Sequence, residues 1–534
     1  NLWFEVGLHC AELSDDCLQN MRGFSLPGVP GLLIGHNDHI AWGLTNANFD
    51  AEDVFIERIN PENPDQYEYL GEWEDMTVRT ETIIVRGRPE PYEFQVRFTR
   101  HGLVATDYMF SGRNGLAVSE DGPGYYALAY SWTALEPIRS VEAIMGVNVA
   151  RNYDEFRAAL SKFDAGKQTF IYADVEGNIG LQVPGKVPIR AAGDGSLPVP
   201  GWTGEYDWVG FIPYDDLPRA YNPAQGYIAT ANHAPVRPAD YPYLWDTSFD
   251  YGQRGQRINE LISGDPDGIT VEDMIAIQTD TYSISAMEIL PYLEGLTFDD
   301  PAVSAARDRL ESWDGQMAMD SPEAAIFNLF WDKLVEMVFF DQLNTAGLPE
   351  GKHDTSDTVY WLLQDPANPW WDNINSAGVE TADDILKAAF EAGYAEGLEE
   401  LGAEVDDWQW GDLHTITFQN ATLGSSGIGL IEDIFNRGPF PTAGSESVVQ
   451  KTCWDAGKSY AVDCIPALRQ VIDLGELSNS RMIHSLGQSG HPYHRQYDHF
   501  IDDWRFFRYH PNNWTREDAE SGRSTTLTLV PAGG

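Results

Sequence analysis

Apolar and polar positions along this chain follow two periods, and the period changes with position. Asp53-Val54-Phe55-Ile56-Glu57-Arg58-Ile59 follows a turn-rich segment and predicts a strand. Thr80-Glu81-Thr82-Ile83-Ile84-Val85 and Tyr92-Glu93-Phe94-Gln95-Val96-Arg97-Phe98 alternate about Gly87 and Pro89, which predicts a hairpin. A third strand pair, Phe170 to Asp174 and Asn178 to Gln182, turns on Val175-Glu176-Gly177. From Val141 to Leu160 the period becomes helical, with a break near Arg151-Asn152. Pro322 to Leu343 predicts an apolar-rich helix, and Thr381 to Leu401 a second one ended by Gly402. Short strands and glycine-rich turns then return, up to Leu529-Val530. Strands, helices and strands in that order predict one α+β body over residues 1–534, with a helical insertion at about residues 302–401.

Composition narrows the function classes. Hydrophobic residues at 43% and aromatics at 12% are enough to build a large core, so the chain is globular. With Lys+Arg 34 against Asp+Glu 83, the formal net charge is −49. A field of that sign repels phosphate backbones and argues against nucleic acid as a partner. It fits solubility in a salty or extracellular setting, and steering of cationic substrates is the other reading. Cys10 and Cys17, and Cys453 and Cys464, form two local pairs without a C-x-x-C spacing. Two disulfides in an oxidising compartment and four buried thiols both suit that arrangement. No run of about eighteen apolar residues predicts a membrane-spanning helix. Asn1 leads straight into the alternating Leu2-Trp3-Phe4-Glu5-Val6-Gly7-Leu8, which reads as a cut or processed N-terminus.

Several familiar motifs fail on chemistry. Gly180-Leu181-Gln182-Val183-Pro184-Gly185-Lys186 has the spacing of a phosphate loop, but Val187 stands where a hydroxyl is needed and Pro184 lacks an N–H. It is read as strand and turn. His491, His494 and His499 invite a zinc reading, yet their spacing around Pro492 does not put three imidazoles on one helix face. Neither a G-x-S-x-G elbow nor an H-E-x-x-H helix is present in the sequence.

The informative segments lie elsewhere. Gly23-Phe24-Ser25-Leu26-Pro27-Gly28-Val29-Pro30-Gly31 runs into Gly35-His36-Asn37-Asp38-His39-Ile40-Ala41-Trp42-Gly43-Leu44-Thr45-Asn46. Tyr172-Ala173-Asp174, Gly177-Asn178-Ile179-Gly180 and Leu197-Pro198-Val199-Pro200-Gly201 follow. Gly226-Tyr227-Ile228-Ala229-Thr230-Ala231-Asn232-His233 precedes Tyr251-Gly252-Gln253-Arg254, and Trp410-Gly411-Asp412-Leu413-His414 and Gly487-Gln488-Ser489-Gly490 come last. In this order, from Trp3 to about Pro531, the segments resemble the penicillin acylase family of N-terminal nucleophile hydrolases. That family includes penicillin and cephalosporin acylases and acylases of acyl-homoserine lactones.

The resemblance implies a four-layer αββα sandwich and hydrolysis of the amide bond of an N-acylated small molecule. In such enzymes the first residue of the mature chain attacks, and its own α-amine, with an ordinary pKa of about 7.7–8.0, acts as base. By resemblance, the backbone N–H of Asn46 and the side-chain amide of Asn232 donate to the oxyanion. Arg254 takes the place of an arginine that orients the catalytic asparagine. Asp50 and Asp53, backbone carbonyls of Glu52 and Gly195, and Asp240 match a structural Ca²⁺ site. A small α subunit cut autoproteolytically from the same precursor, and a periplasmic or extracellular location, are implied too. The strand containing Trp3-Phe4-Glu5-Val6 corresponds to one lying roughly thirty residues after the catalytic residue, so the nucleophilic serine is expected upstream of Asn1. A catalytically inactive extracellular structural or assembly protein on the same fold is the competing reading.

Overall fold

The computed structural model describes residues 2–14, 17–109, 117–118, 125–243, 249–264 and 268–528. Asn1 and the expected final strand at Leu529-Val530 lie outside the described residues. The chain divides into two compact units, one of residues 1–37 with 250–534 and one of residues 38–249.

The first unit opens with an antiparallel ladder of β1 (Phe4–His9), β2 (Asn20–Ser25) and β3 (Ile34–Asn37). A disulfide joins Cys10 to Cys17 just after β1. Gln488 clamps β1 in both directions: its Oε1 accepts from the Glu5 N–H at 3.1 Å and its Nε2 donates to the Glu5 carbonyl at 2.9 Å. The Gly487-Gln488-Ser489-Gly490 motif thus serves strand anchoring. Glu5 itself pairs with His510 at 3.0 Å. Burial pushes the Glu5 carboxyl up, but His510 outweighs it and leaves the group below its ordinary value.

In the unit of residues 38–249, β4 (Ile40–Asn46) pairs antiparallel with a strand at Gln168–Asp174. β5 (Glu52–Asn60) lies in a separate, mainly antiparallel sheet that also holds β6 (Tyr92–Thr99) and β7 (Tyr125–Trp132), with Val199–Pro200 pairing parallel to β5. Thr77–Ile83 pairs with β6 in the expected hairpin. Between the sheets in sequence come α1 (Ser140–Val149) and α2 (Tyr153–Leu160), separated where expected. Asn152 makes the break, because its side chain accepts from the Glu155 N–H at 2.9 Å and caps α2. The strand at Gln168–Asp174 is β8, followed by β9 (Ile179–Gln182) and β10 (Arg219–Tyr221), all antiparallel. β9 is the first part of the segment with phosphate-loop spacing.

β5 buries every second residue: Asp53, Phe55, Glu57 and Ile59 all point inward. Two carboxylates in a core strand need cationic partners. Glu57 meets His101, whose Nδ1 lies 2.8 Å from Glu57 Oε1 and whose Nε2 lies 3.0 Å from Asp207 Oδ1. Phe55 stacks on the imidazole at 4.1 Å. Burial pushes His101 toward its neutral form, but the two carboxylates outweigh it and raise its pKa. The sign follows: this pair stabilises the unit fully below the ordinary imidazole range, about pH 6.5, and the contribution is lost as pH rises through the elevated value. The melting-temperature difference between wild type and His101→Gln is therefore expected to shrink over the pH window that opens above about 6.5. A difference that stays constant over that window would contradict the assignment.

The other unit continues with α3 (Gln253–Ser263) and shorter helices at Val271–Gln278 and Pro301–Leu310. Helical structure in this unit therefore starts earlier than residue 302. α4 (Pro322–Gly347) begins at Ser321, whose hydroxyl accepts from the Ala324 N–H at 3.0 Å. α5 (Ala382–Glu400) begins with a capping box between Thr381 and Asp384. Leu329, Phe330, Ala389, Phe390 and Trp408 share the core these helices form. Each Leu or Phe buried there contributes about 1.5–3 kcal/mol. The approach is close: a Cβ on Gly393 would fall 2.8 Å from the Leu329 carbonyl, and one on Gly397 would fall 2.2 Å from the Trp408 ring. Beyond α5, Cys453 and Cys464 are disulfide-bonded across two paired strands. Among the described residues, no helix is long and apolar enough to cross a membrane.

Candidate active site

Asn46 is the last residue of β4, opposite Gln168 on β8. Its side chain is tied off, since Gln168 Nε2 donates to Asn46 Oδ1 at 2.8 Å. Asn232 approaches from 186 residues further along the chain, and its Nδ2 donates to the Asn46 carbonyl at 3.1 Å. One residue before Asn46 and two before Asn232, the hydroxyls of Thr45 and Thr230 meet at 3.1 Å. Asn232 has φ +67°, a left-handed conformation that asparagine tolerates better than most L residues. The structure thus brings two predicted residues together at a strand end where Asn46 is exposed and Asn232 half-buried. An amide with two N–H groups beside a strand-end backbone is the material from which oxyanion donors are made.

Arg254 belongs to the other unit, in the first turn of α3. Its Nε and Nη2 donate to Asp250 Oδ2 at 3.2 and 2.5 Å. Asp250 is buried, which pushes its carboxyl up, but the Arg254 charge outweighs burial and holds it below the ordinary carboxylate range.

The residues expected around calcium divide. Asp50 and Asp53 converge on Gly195, where a Cβ would lie 2.3 Å from Asp50 Oδ2 and 2.5 Å from Asp53 Oδ1. Arg190, only 5% exposed at its side chain, bridges the two carboxylates, with Nη2 2.7 Å from Asp50 and Nε 2.9 Å from Asp53. The Trp208 indole also donates to Asp53. The Glu52 carboxylate turns toward Tyr130 and Lys167. Asp240 is exposed and pairs with Arg237.

A family model described as penicillin amidase matches residues 1–521. The chain belongs to the penicillin amidase family. It is 30% identical over 547 aligned residues to an acyl-homoserine lactone acylase, QuiP, of Pseudomonas aeruginosa, covering 96% of this chain and 63% of that protein. It is 28% identical over 521 residues to the penicillin acylase 2 proenzyme of a Pseudomonas strain, covering 96% of this chain and 64% of that one. The chain therefore spans less than two thirds of the length of these relatives. A thermostable penicillin G acylase from Alcaligenes faecalis superposes with a TM-score of 0.67 over 100% of this chain and 95% of that one, at 21% identity. That likeness shows the α+β fold of N-terminal nucleophile hydrolases.

In this chain the C-terminal histidines have local roles. His491 Nδ1 and His494 Nδ1 accept backbone N–H groups from Tyr493 and Gln496, and the His499 ring lies 3.8 Å from that of Phe500. Within the described residues, the metal-type cluster that does form is Glu446 with Cys453 and Cys464, whose sulfurs are already bonded to each other. Thr45 and Thr230 lie within the segments that carry the resemblance, whereas Gln168 carries no sequence signal of its own. Gln168 is simply the residue two before the Phe170 strand, and only the β4–β8 register reveals that it faces Asn46.

Proposed function

We propose that this chain is the larger part of an amidohydrolase that cleaves the linear amide of an N-acylated small molecule, such as an acyl-homoserine lactone or a penicillin-type amide. The observation that carries the reading is the 3.1 Å contact between the Asn232 amide and the Asn46 backbone. The names of the relatives, acylases of these two substrate classes, point the same way. The nucleophile is the hydroxyl of a serine that begins the mature chain upstream of Asn1. Its α-amine takes the hydroxyl proton through a water while the oxygen bonds to the amide carbon. The carbonyl oxygen becomes negative and is met by the Asn46 N–H and Asn232 Nδ2. Collapse breaks the C–N bond, the leaving amine takes the proton, and a seryl ester remains. Water attacks the ester in the same geometry and releases the acid and free serine. Arg254, held by Asp250, has the positioning role that family resemblance gives it. Release from a precursor with a small α subunit is supported by the proenzyme name of one relative. The two disulfides favour an oxidising, periplasmic or extracellular compartment.

The test uses the complete precursor, expressed from its own coding sequence and incubated with an acyl-homoserine lactone and penicillin G. The expected result is amine release and, by mass spectrometry, an acyl group on the first residue of the mature large chain. A purified mature protein that turns over neither substrate and carries no adduct ends this reading.

The calcium reading is a proposal of the same kind. Asp50 and Asp53, with backbone carbonyls of Glu52 and Gly195, would hold the ion, which would supply structural cross-linking and no chemistry. The convergence of two carboxylates on Gly195 suits a hard cation, while Arg190 already neutralises one of their two charges. Chelated protein given Ca²⁺ at about 100 times its dissociation constant should gain roughly 2.7 kcal/mol, seen as a higher melting temperature. Identical melts with chelator and with millimolar Ca²⁺ would leave Arg190 as the cation of this loop.

A further inference from the structure

Apart from Asn46 and Asn232, the unit of residues 38–249 contains a concave site formed by the start of α2, the β8–β9 turn and β10. Its volume, about 570 Å³, is within the range of small-molecule sites, about 300–1,000 Å³. One wall is aromatic. Tyr153 and Tyr221 stack with centroids 4.4 Å apart and planes inclined by 21°. Tyr153 is fixed, because its single hydroxyl proton is shared between the carbonyls of Leu181 and Ala220, 3.1 and 3.0 Å away. It also lies so close over Gly180 that a Cβ there would come within 2.4 Å of the ring. Tyr221, held against this fixed ring, is 49% exposed.

The rest of the lining mixes both signs. Arg151 and Arg219 face the same cleft as Asp154 and Glu176. Asn178 adds an amide whose geometry is set on both sides: Nδ2 donates to Asp174 at 3.0 Å, and Oδ1 accepts from Asn222 at 2.8 Å. None of these groups belongs to the Asn46 and Asn232 site.

We propose that this cleft binds a neutral saccharide. A sugar ring presents a C–H face that packs on an aromatic surface and a rim of hydroxyls that both donate and accept. Guanidinium and amide groups supply donors here, and the carboxylates supply acceptors. Asp154, Asp174 and Glu176 outnumber the two arginines, which already pair with Glu155 and Asp215, so an anion is disfavoured; an organic cation would use the acceptors alone, whereas a sugar's hydroxyls use the donors as well. Because the tyrosine stack and Asn178 are held in place by their own hydrogen bonds, little ordering entropy opposes binding. The proposal is independent of the amide-hydrolysis reading.

The experiment is a calorimetric titration of the mature protein with maltotriose, fully N-acetylated chitotriose and spermidine, repeated on Tyr221→Ala and Glu176→Gln. Both side chains are well exposed, and matched circular dichroism melts check that the fold is kept. The expected result is binding of at least one oligosaccharide, weakened tenfold or more by Tyr221→Ala and to a lesser degree by Glu176→Gln. Silence with both oligosaccharides, equal affinity in Tyr221→Ala, or binding of spermidine alone would overturn it.

Discussion

Asn232→Gly is expected to lower kcat by roughly 10²–10³ while KM stays within a few-fold of wild type. The reasoning starts from the backbone. Asn232 sits at φ +67°, where glycine is at ease and alanine pays about 1–2 kcal/mol of steric strain. Glycine keeps the chain path and deletes only the amide, so the measured loss belongs to the missing donor. That donor matters more in the transition state than in the ground state, because full negative charge on oxygen exists only there. Asn46 is exposed, so its carbonyl can turn to water when Asn232 Nδ2 is gone, and little stability should be lost. Asn232→Asp should be slower still, since it sets a negative group beside the developing oxyanion. Steady-state rates on an acyl amide give the answer, and a glycine variant as fast as wild type removes Asn232 from the chemistry.

Arg190→Met should cost about 3–5 kcal/mol of stability in the unit of residues 38–249, the largest effect expected of any single substitution here. The arginine side chain is 5% exposed and Asp53 is 4% exposed, so deleting the cation leaves a carboxylate buried without its main partner. Burial already pushes the Asp50 carboxyl above its ordinary value with Arg190 present, and removing that charge would push it further. Adding Asp53→Asn to Arg190→Met should recover part of the loss, because the repulsion between the two carboxylates disappears with one of them. Thermal melts and proteolysis of the three variants check this. A single variant that melts with wild type would mean that the ion pair contributes nothing in solution.

Much of the local structure was legible because single residues announce it. Asn152 splits a helical stretch by capping, Thr381 with Asp384 opens α5, and Pro322 after Ser321 opens α4. The segment at residues 53–59 predicted a strand, but that Asp53 and Glu57 face inward and need partners shows only in the structure. Who the partners are was not legible. Arg190 lies 137 residues from Asp53 and His101 lies 44 from Glu57, and no periodicity connects positions so far apart. α3 escaped for a different reason: its apolar stripe, Ile258, Leu261 and Ile262, is short and only half-buried, while its buried positions are Gln253 and Gly255. The site was legible only through family resemblance. Asn46 and Asn232 are ordinary asparagines until two strands and a left-handed turn bring them together, and Gln168 has no mark at all outside the register that sets it opposite Asn46.

The two glycines on one side of α5 also bear on how the protein can move. With Gly393 against the Leu329 backbone and Gly397 beneath the Trp408 ring, the helices interlock like a key in a slot. Sliding α5 by one turn would drive bulkier side chains into positions where not even a methyl group fits. Shear along this pair is therefore blocked. Any motion of this unit has to carry the two helices together as one rigid pair.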